Sequence, residues 1–565
     1  MTFLKIGDIG RTYRYVQRYR QILTVLFKYG FGDIVEALRI EQYLEIGLNM
    51  VSRSRREKIE SLSRAARVRM ALEELGPTFI KMGQILATRP DLLPIEFIEE
   101  FSTLQDNVPS FPYEDIKITI EKEFKQPLDQ IFLKFEEKCI AAASIGQVHM
   151  AVMLNGEKVA VKIQRPGIKR IIEVDIEIMM HLAGLMERHL KGMDIQRPSR
   201  IVEEFAVTLE KELDFTLEGA YMERFARQFV NEPGVHVPAL YRELTTRRVL
   251  TMEYISGIKS SDIEVLEKKG YDRCKIASQG LDLIMKQVFV HGFFHADPHP
   301  GNIFVLPGNV LCFIDFGMMG RINLRTRERF ADLISSIVHR DETKAADALL
   351  RLIDSDTPIK DYSLLQKDVA EFMDKHCYRP LKDIDLGDML HQLLEITTKH
   401  QLIIPQDLFL MIKALSTIEG IGRKLDPDLD VIEKAAPFIK RIRLHRINPK
   451  RIINDITNSG NDLIQLLQDI PGELHDIFRL LRQGKMKIEF EHQGLDEMYI
   501  VHNKISNRIA FAIIVAALII GSSLIVLSGI PPIWMGIPII GLLGFLVAGA
   551  MGLWLLIFIL KSGMM

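Results

Sequence analysis

Residues 291–320, HGFFHADPHPGNIFVLPGNVLCFIDFGMMG, place two acidic motifs at the ends of one short ribbon. His295-Ala296-Asp297 opens it, and Asn302 follows five residues after the aspartate. Asp315-Phe316-Gly317 closes it. Between them, Ile303–Leu306 and Leu311–Ile314 are apolar, strand-forming runs around Pro307-Gly308-Asn309, a turn signal. With Ile303 opposite Ile314, Asn302 falls opposite Asp315, and two oxygen ligands meet at the open end of the ribbon. Mg²⁺ bridging phosphates is held by one or two such oxygens plus water and phosphate. Asp297 is then placed to orient or deprotonate an attacking hydroxyl or water.

An HxD or a DFG alone carries little information. HxDxxxxN, a hairpin and DFG in series resemble the catalytic loop and metal-binding motif of the protein kinase fold. The upstream order agrees. Ala141, Ala142, Ala143 and Ser144 open a loop of small residues, Val148–Met153 reads as a strand, and Asn155-Gly156 signals a hairpin. Lys158–Ile163 returns as a strand with Lys162 facing opposite to Val161. In a kinase small lobe this arrangement covers the phosphates and reaches them with an ammonium. Lys162 needs a carboxylate to stay charged and aimed in a buried cleft. Ser199–Val230 reads as one long helix capped by Ser199, and Glu218 on it is the chosen partner. Arg248–Ile255 reads as a strand running into a hinge at Glu253 and Tyr254, which would offer backbone groups to an adenine. Asp272–His291 reads as a long helix beneath the catalytic loop, and Arg325–Pro437 as an α-rich large lobe.

The two ends of the chain differ from this middle. Residues 1–50 read as helical, with Arg11, Tyr13, Arg14, Tyr15, Arg18 and Tyr19 forming either an arm for an anionic membrane surface or a solvated face. Met70–Thr88 reads as a helix in which Lys81 and Gln84 share a face and Gly83 admits a close neighbour. On spacing alone those two polar residues are an ordinary solvated pair. Near the other end, Ile509–Ile530 and Ile537–Leu560 are 22 and 24 residues without a charge. At about 1.5 Å per residue each can cross a hydrocarbon core of about 30 Å. Lys504 and Arg508 precede the first span and Lys561 follows the second, which places both ends in the cytoplasm. Gly544, Ala548 and Gly552 line one face of the second span, for packing on Ala517 and Gly521 of the first span or on a second copy in a homodimer. Lys440–Arg451 holds six Lys/Arg and no acid, a stretch suited to lipid headgroups. Lys485–Glu491 reads as one short strand. A net charge of −2 gives no general field for nucleic acid. Four scattered cysteines without a CxxC fit a reducing compartment.

Taken together, KMGQ at 81–84, AAASIGQVH at 141–149, VAVKIQRPG at 159–167, ELDFTLEGAYMERF at 212–225, HADPHPGNIF at 295–304 and DFG at 315–317 resemble the UbiB/AarF family of atypical kinase-like proteins, bacterial membrane-anchored type. The resemblance implies an α+β, two-lobed kinase-like fold with an N-terminal helical extension covering the cleft, plus a C-terminal transmembrane helical hairpin. The corresponding divisions are 1–110 (extension), 111–257 (small lobe), 258–437 (large lobe), 438–508 (basic juxtamembrane region) and 509–561 (two spans). It implies ATP or ADP with Mg²⁺ as cofactors. Asp297, Lys162 and Glu218 would be catalytic, and Asn302 and Asp315 would hold the metal. Lys81 and Gln84 would be the KxGQ pair over the cleft, met by the ExD acids Glu212 and Asp214. Ala141–Ser144 would replace the glycine-rich phosphate loop with a stiffer one. Ala296 stands where most kinases have arginine, so activation by loop phosphorylation is not expected. The implied function is ATP hydrolysis, or phosphorylation of a small molecule, in support of ubiquinone or related isoprenoid lipid synthesis at the cytoplasmic membrane. The implied partners are anionic lipids, a hydrophobic quinone precursor and soluble enzymes of that synthesis. A signalling protein kinase and a nucleotide-binding scaffold are the alternatives.

Overall fold

In Lys158–Gln164, buried Val159, Val161 and Ile163 alternate with the less buried Lys158 and Lys162, the period of two that a strand shows when one face packs on a core. A computed structural model builds the cleft outward from this strand. It describes residues 9–38, 62–90, 92–104, 110–190, 197–353, 361–377, 386–400, 402, 404–446, 495–534 and 537–562. The chain divides into two compact units, residues 1–453 and 454–565.

The first unit opens with α1 (Ile9–Lys28), α2 (Arg64–Leu75) and α3 (Pro77–Leu86). A small lobe follows, with β1 (Phe132–Phe135), β2 (Ala141–Ala142), β3 (Gly146–Met153) and β4 (Lys158–Gln164). Then come α4 (Ile168–His189), α5 (Pro198–Glu212), α6 (Phe215–Gln228), β5 (Val235–His236) and β6 (Val249–Glu253). The large lobe holds β7 (Ile258–Lys259), α7 (Arg273–Met285), β8 (Phe293–His295), β9 (Ile303–Leu306), β10 (Val310–Phe313) and β11 (Met319–Arg321). A run of helices ends it, including α8 (Leu324–Val338), α9 (Gln406–Leu425) and α10 (Val431–Arg446).

The small-lobe sheet is antiparallel in the order β1-β3-β4-β6, with β2 also on β3. The large-lobe sheet runs β5-β10-β9-β7, and β8 pairs with β11 separately. One core cluster fills the large lobe and reaches α6 through Met222, Phe225 and Phe229. A second joins α1, α2, α3, α4 and α5. The two-lobed α+β architecture therefore agrees with the reading of the sequence.

Several local expectations change. Met70–Thr88 is two helices, because Gly76 adopts φ +94° and Pro77 starts α3. Ser199–Val230 is also two helices. Asp214 caps α6 by accepting from Thr216 N–H at 3.1 Å, while the N–H of Phe215 goes to the Arg247 carbonyl at 3.2 Å. Ser199 is not the cap of α5. Arg197 holds that place, and the Ser199 N–H donates to Glu187 at 2.9 Å. The last turn before the catalytic loop, Lys286–His291, widens to a π-helix. The ribbon register is one residue shorter than expected: Ile303 pairs with Phe313, closing a three-residue turn in which Gly308 and Asn309 both have positive φ. α1 buries Tyr19, Ile22 and Leu23 in the second core, so that face of it is neither solvated nor available to lipid. Of the basic run after Lys440, Arg443 and Arg446 bind Ser335 and Asp332 of α8 at 2.7 and 2.9 Å, which leaves fewer cations for lipid. The strand expected at Lys485–Glu491 lies outside the described residues.

The second unit holds a helical hairpin of α11 (Leu495–Ser528) and α12 (Ile539–Ser562), joined through a two-stranded ribbon of β12 (Ile533–Trp534) and β13 (Ile537–Pro538). Both helices are long and apolar enough to cross a membrane. A Cβ on Gly544 would stand 2.1 Å from the Ser522 hydroxyl, and one on Gly541 2.5 Å from Val526. The small-residue face of the second span thus packs on the first span. It does so against Ser522 and Val526 rather than Ala517 and Gly521, and Gly521 has open space beside it.

Gly320 on β11 faces Phe294 on β8, and a Cβ there would lie 2.2 Å from that fully buried ring. Gly320→Ala should cost about 1–3 kcal/mol. Gly420→Ala, in open helix, should be neutral or stabilise by up to about 1 kcal/mol. Thermal melts of both variants in detergent check the contrast.

Candidate functional site

β4 turns Val161 into the sheet core and Lys162 into the cleft. The Lys162 ammonium donates to both Glu218 oxygens at 2.9 and 3.0 Å and to Asp315 Oδ1 at 3.3 Å. The Phe215 ring lies 5.3 Å beneath it. Glu218 sits in the first turn of α6, so the Asp214 cap that starts the helix also sets where this carboxylate stands. Burial alone would lower the Lys162 pKa. Asp315 and Glu218 outweigh it and hold the ammonium above the ordinary lysine value. Burial pushes the Glu218 carboxyl up, against the pull of Lys162. Lys162 holds the Asp315 carboxyl well below the usual carboxylate range, with Lys81 adding to the effect.

The DFG segment is braced from behind. His295 is fully buried, and burial lowers its pKa, so its neutral ring donates from Nε2 to the Ile314 carbonyl at 3.1 Å. That bond fixes the backbone one residue before Asp315, which itself sits at φ +60°, a strained position for a residue with a side chain. Phe316 packs 5.2 Å from Phe225, on the helix that carries Glu218. Gln287 in the π-turn accepts the His295 N–H at 3.0 Å.

Asn302 and Asp315 do not sit directly opposite each other. The Ile314 N–H donates to the Asn302 carbonyl at 2.9 Å, so Asp315 falls one residue past the end of the ribbon. Asn302 Nδ2 donates to the Asp297 carbonyl at 3.3 Å, which leaves its Oδ1 as the acceptor. Asp315 is half exposed and stays ionised. A carboxylate and an amide oxygen are hard, oxygen-only donors, the chemistry that would suit Mg²⁺ carrying phosphates and water.

Other expected residues divide. Ala141 and Ala142 are strand, paired with Val148 and Gln147, and the turn closes with the Ala143 N–H on the Gly146 carbonyl at 2.8 Å. Only glycine fits at 146, where a Cβ would meet the Ile163 carbonyl at 2.5 Å. Ser144 is fully buried by this tight turn, so it is not presented to a nucleotide in this conformation. At the hinge, the Glu253 carboxylate is held by His236 at 2.9 Å and by the Ala239 N–H at 3.1 Å. The Tyr254 N–H goes to the Lys158 carbonyl at 3.2 Å. The Glu253 N–H goes to the Ala239 carbonyl at 2.9 Å, so both of these hinge N–H groups are engaged within the fold.

The KMGQ helix α3 does reach the cleft. Lys81 pairs with Glu212 at 3.1 Å, as an ion pair whose alignment falls short of a hydrogen bond. Gln84 donates to the Leu104 carbonyl at 3.2 Å, and Gly83 makes room for the Leu104 side chain. Arg89 binds Glu204 of α5 at 2.9 Å. Asp214 does not meet this helix, being held instead by Thr216 and by Arg247 at 2.9 Å.

Two contacts escaped the reading of the sequence. Lys413 on α9 stands 3.6 Å from Asp297 Oδ1, and nothing in the local pattern separates it from any helical lysine. Arg18 on α1 binds the fully buried Asp175 at 2.7 Å and donates to the Leu75 carbonyl at the end of α2. Here a signal existed, since Asp175 interrupts the apolar stripe Ile172, Ile178, Met179 on α4.

Residues 103–349 match the ABC1 atypical kinase-like domain, residues 369–430 the UbiB helical domain, and residues 493–561 the ABC1/UbiB kinase-like C-terminal domain. The chain belongs to the ABC1/UbiB family of atypical kinase-like proteins. It is 33% identical to a Clostridium pasteurianum protein named "Uncharacterized protein in hydrogenase 1 5'region", over 97% of this chain and 99% of that one. It is 36% identical to the "Probable protein kinase UbiB" of Marinobacter nauticus, over 75% and 78% of the two chains. It is 32% identical to the protein of the same name from Xanthomonas campestris pv. campestris, over 92% and 94%. In this ABC1/UbiB chain the kinase-like match carries Lys162, Glu218, Asn302 and Asp315, whereas Lys413 lies in the helical domain.

The Lys162 cluster sets a pH signature. Asp315 titrates below its unfolded value, so its contribution to stability is complete above about pH 4 and is lost as the pH falls further. Glu218 titrates above its unfolded value, so it costs stability at neutral pH and stops doing so as it takes up a proton. Lys162→Met removes the first contribution and enlarges the second cost. It should destabilise by about 3–5 kcal/mol near neutrality, with the deficit shrinking on acidification toward about pH 4. Denaturant titrations at several pH values test this, and a deficit independent of pH contradicts it.

Proposed function

We propose that this chain is a membrane-anchored, Mg-ATP-dependent ATPase or small-molecule kinase supporting the synthesis of ubiquinone or a related isoprenoid lipid. The observation that carries the reading is the Lys162 ammonium held between Glu218 and Asp315, with Asn302 beside the catalytic loop. In the kinase-like frame Lys162 aims the nucleotide phosphates, and Asn302 and Asp315 hold the metal, which offsets phosphate charge when bound. Asp297 orients the attacking oxygen. In hydrolysis, that oxygen bonds to the γ-phosphorus as the bond to the β-bridging oxygen breaks. The electron pair leaves on ADP, and the water proton passes by way of Asp297 to solvent.

A non-protein acceptor is favoured by α3. Lys81 and Arg89 fasten it to α5 on the side where Lys81 also acts on Asp315. A helix held there occupies space that a peptide acceptor needs. The two apolar helices of the second unit suit an anchor, and the lysines and arginine flanking them in sequence favour a cytoplasmic ATP site.

The fate of γ-labelled phosphate decides the matter, using the full-length chain in anionic liposomes with Mg²⁺. Label should appear as inorganic phosphate or in the lipid extract. Asp315→Asn should reduce turnover by on the order of 10²-fold or more. Label on protein would restore the protein-kinase reading, and nucleotide bound without turnover the scaffold.

A further inference from the structure

The catalytic loop His295–Asn302 contains no lysine or arginine. Phosphoryl transfer spreads charge over the equatorial oxygens of the γ-phosphoryl group, and cations placed there lower the barrier. The cations already described stand elsewhere in the cleft. Lys162 aims the phosphates from between Glu218 and Asp315, and Lys81 pairs with Glu212.

Lys413 is different. It projects from α9 between the buried residues Ile412 and Ala414, on a helix packed against α7, where Gly280 lets Ile418 come close. The backbone that carries it is therefore packed into the large-lobe core. Its side chain is 30% exposed, and its single ion pair among the described residues is with Asp297, at 3.6 Å. That distance is beyond a good hydrogen bond of about 2.7–3.2 Å, so the ammonium is near Asp297 without being bound firmly. Asp297 marks where the attacking oxygen stands. An ammonium beside it, on a four-carbon stem, is within reach of the γ-phosphate oxygens.

We propose that Lys413 is a catalytic residue that leaves Asp297 and binds the γ-phosphate when a nucleoside triphosphate enters. Part of the active site then comes from the helical domain rather than from the kinase-like domain. The same helix touches the end of the KMGQ segment, where Gln406 donates to Thr88 at 3.4 Å. Engagement of a γ-phosphate by Lys413 thus acts on a helix that also contacts the cover. The inference rests on the reading of the cleft as a site that releases or transfers the γ-phosphate.

The test uses the full-length chain in liposomes with Mg²⁺, comparing wild type, Lys413→Met and Lys413→Arg. Dissociation constants for AMP-PNP and ADP are measured beside kcat for release or transfer of the γ-phosphate. Lys413→Met should lower kcat on the order of 10²-fold. It should also lower the preference for AMP-PNP over ADP about tenfold, while ADP affinity stays within about twofold of wild type. Lys413→Arg should recover most of both. An unchanged AMP-PNP/ADP ratio in Lys413→Met, or equal losses for the two nucleotides, would overturn the proposal and leave Lys413 as a fastener of α9. If Lys413→Met does not fold, Lys413→Gln gives the same ratio. A wild type that binds both nucleotides without turnover would sink the ATPase or kinase reading, yet the ratio would still decide whether Lys413 meets the γ-phosphate.

Discussion

A buried ammonium with two carboxylates within 3.3 Å is the contact on which the rest of the cleft depends. Lys162 comes from the small-lobe sheet, Glu218 from α6 and Asp315 from the end of the large-lobe ribbon. Desolvating a charge of this kind costs several kcal/mol unless its partners are well placed. The fold answers with independent supports behind each partner. Asp214 caps α6, His295 holds the backbone before Asp315, and Phe316 packs on Phe225. Removing any of these supports loosens a charge that cannot easily return to water.

The N-terminal extension is built into the same system. α1 is clamped by Arg18 to a carboxylate with no solvent exposure and to the last turn of α2. α3 starts at Pro77, directly after Gly76, and so leaves the clamped end of α2 within two residues. Lys81 then reaches Glu212 at the end of α5, two residues before the Asp214 cap of α6. The extension and the Glu218 helix therefore share one junction, Glu212–Asp214.

What was legible in the sequence follows from range. HxDxxxxN, DFG and the VAVK strand are short-range patterns, and their elements formed where the spacing placed them. The partner of Lys162 was also found, because only a charged, buried lysine demands one. The ribbon register missed by one residue, since two successive positive-φ positions at Gly308 and Asn309 tighten the turn. The break at Leu213–Asp214 was hidden, as neither residue is a helix breaker, and it depends on the Arg247 carbonyl from a distant segment. The Asp214 role shifted for the same reason: Arg247 and the α6 cap claim the carboxylate first. The small-residue face of α12 pointed to close packing, but only the hairpin shows that Ser522 and Val526 fill it.

If the reading of the cleft holds, Lys162 and Glu218 act as one unit in binding nucleotide phosphate. A double-mutant cycle with Lys162→Met, Glu218→Gln and the double variant, read as the dissociation constant for Mg-ATP, tests it directly. Each single change should weaken binding, and the double variant should be no worse than Lys162→Met. Losses that add in the double variant would mean the two residues act separately, and the arrangement described here would not be the one that binds nucleotide.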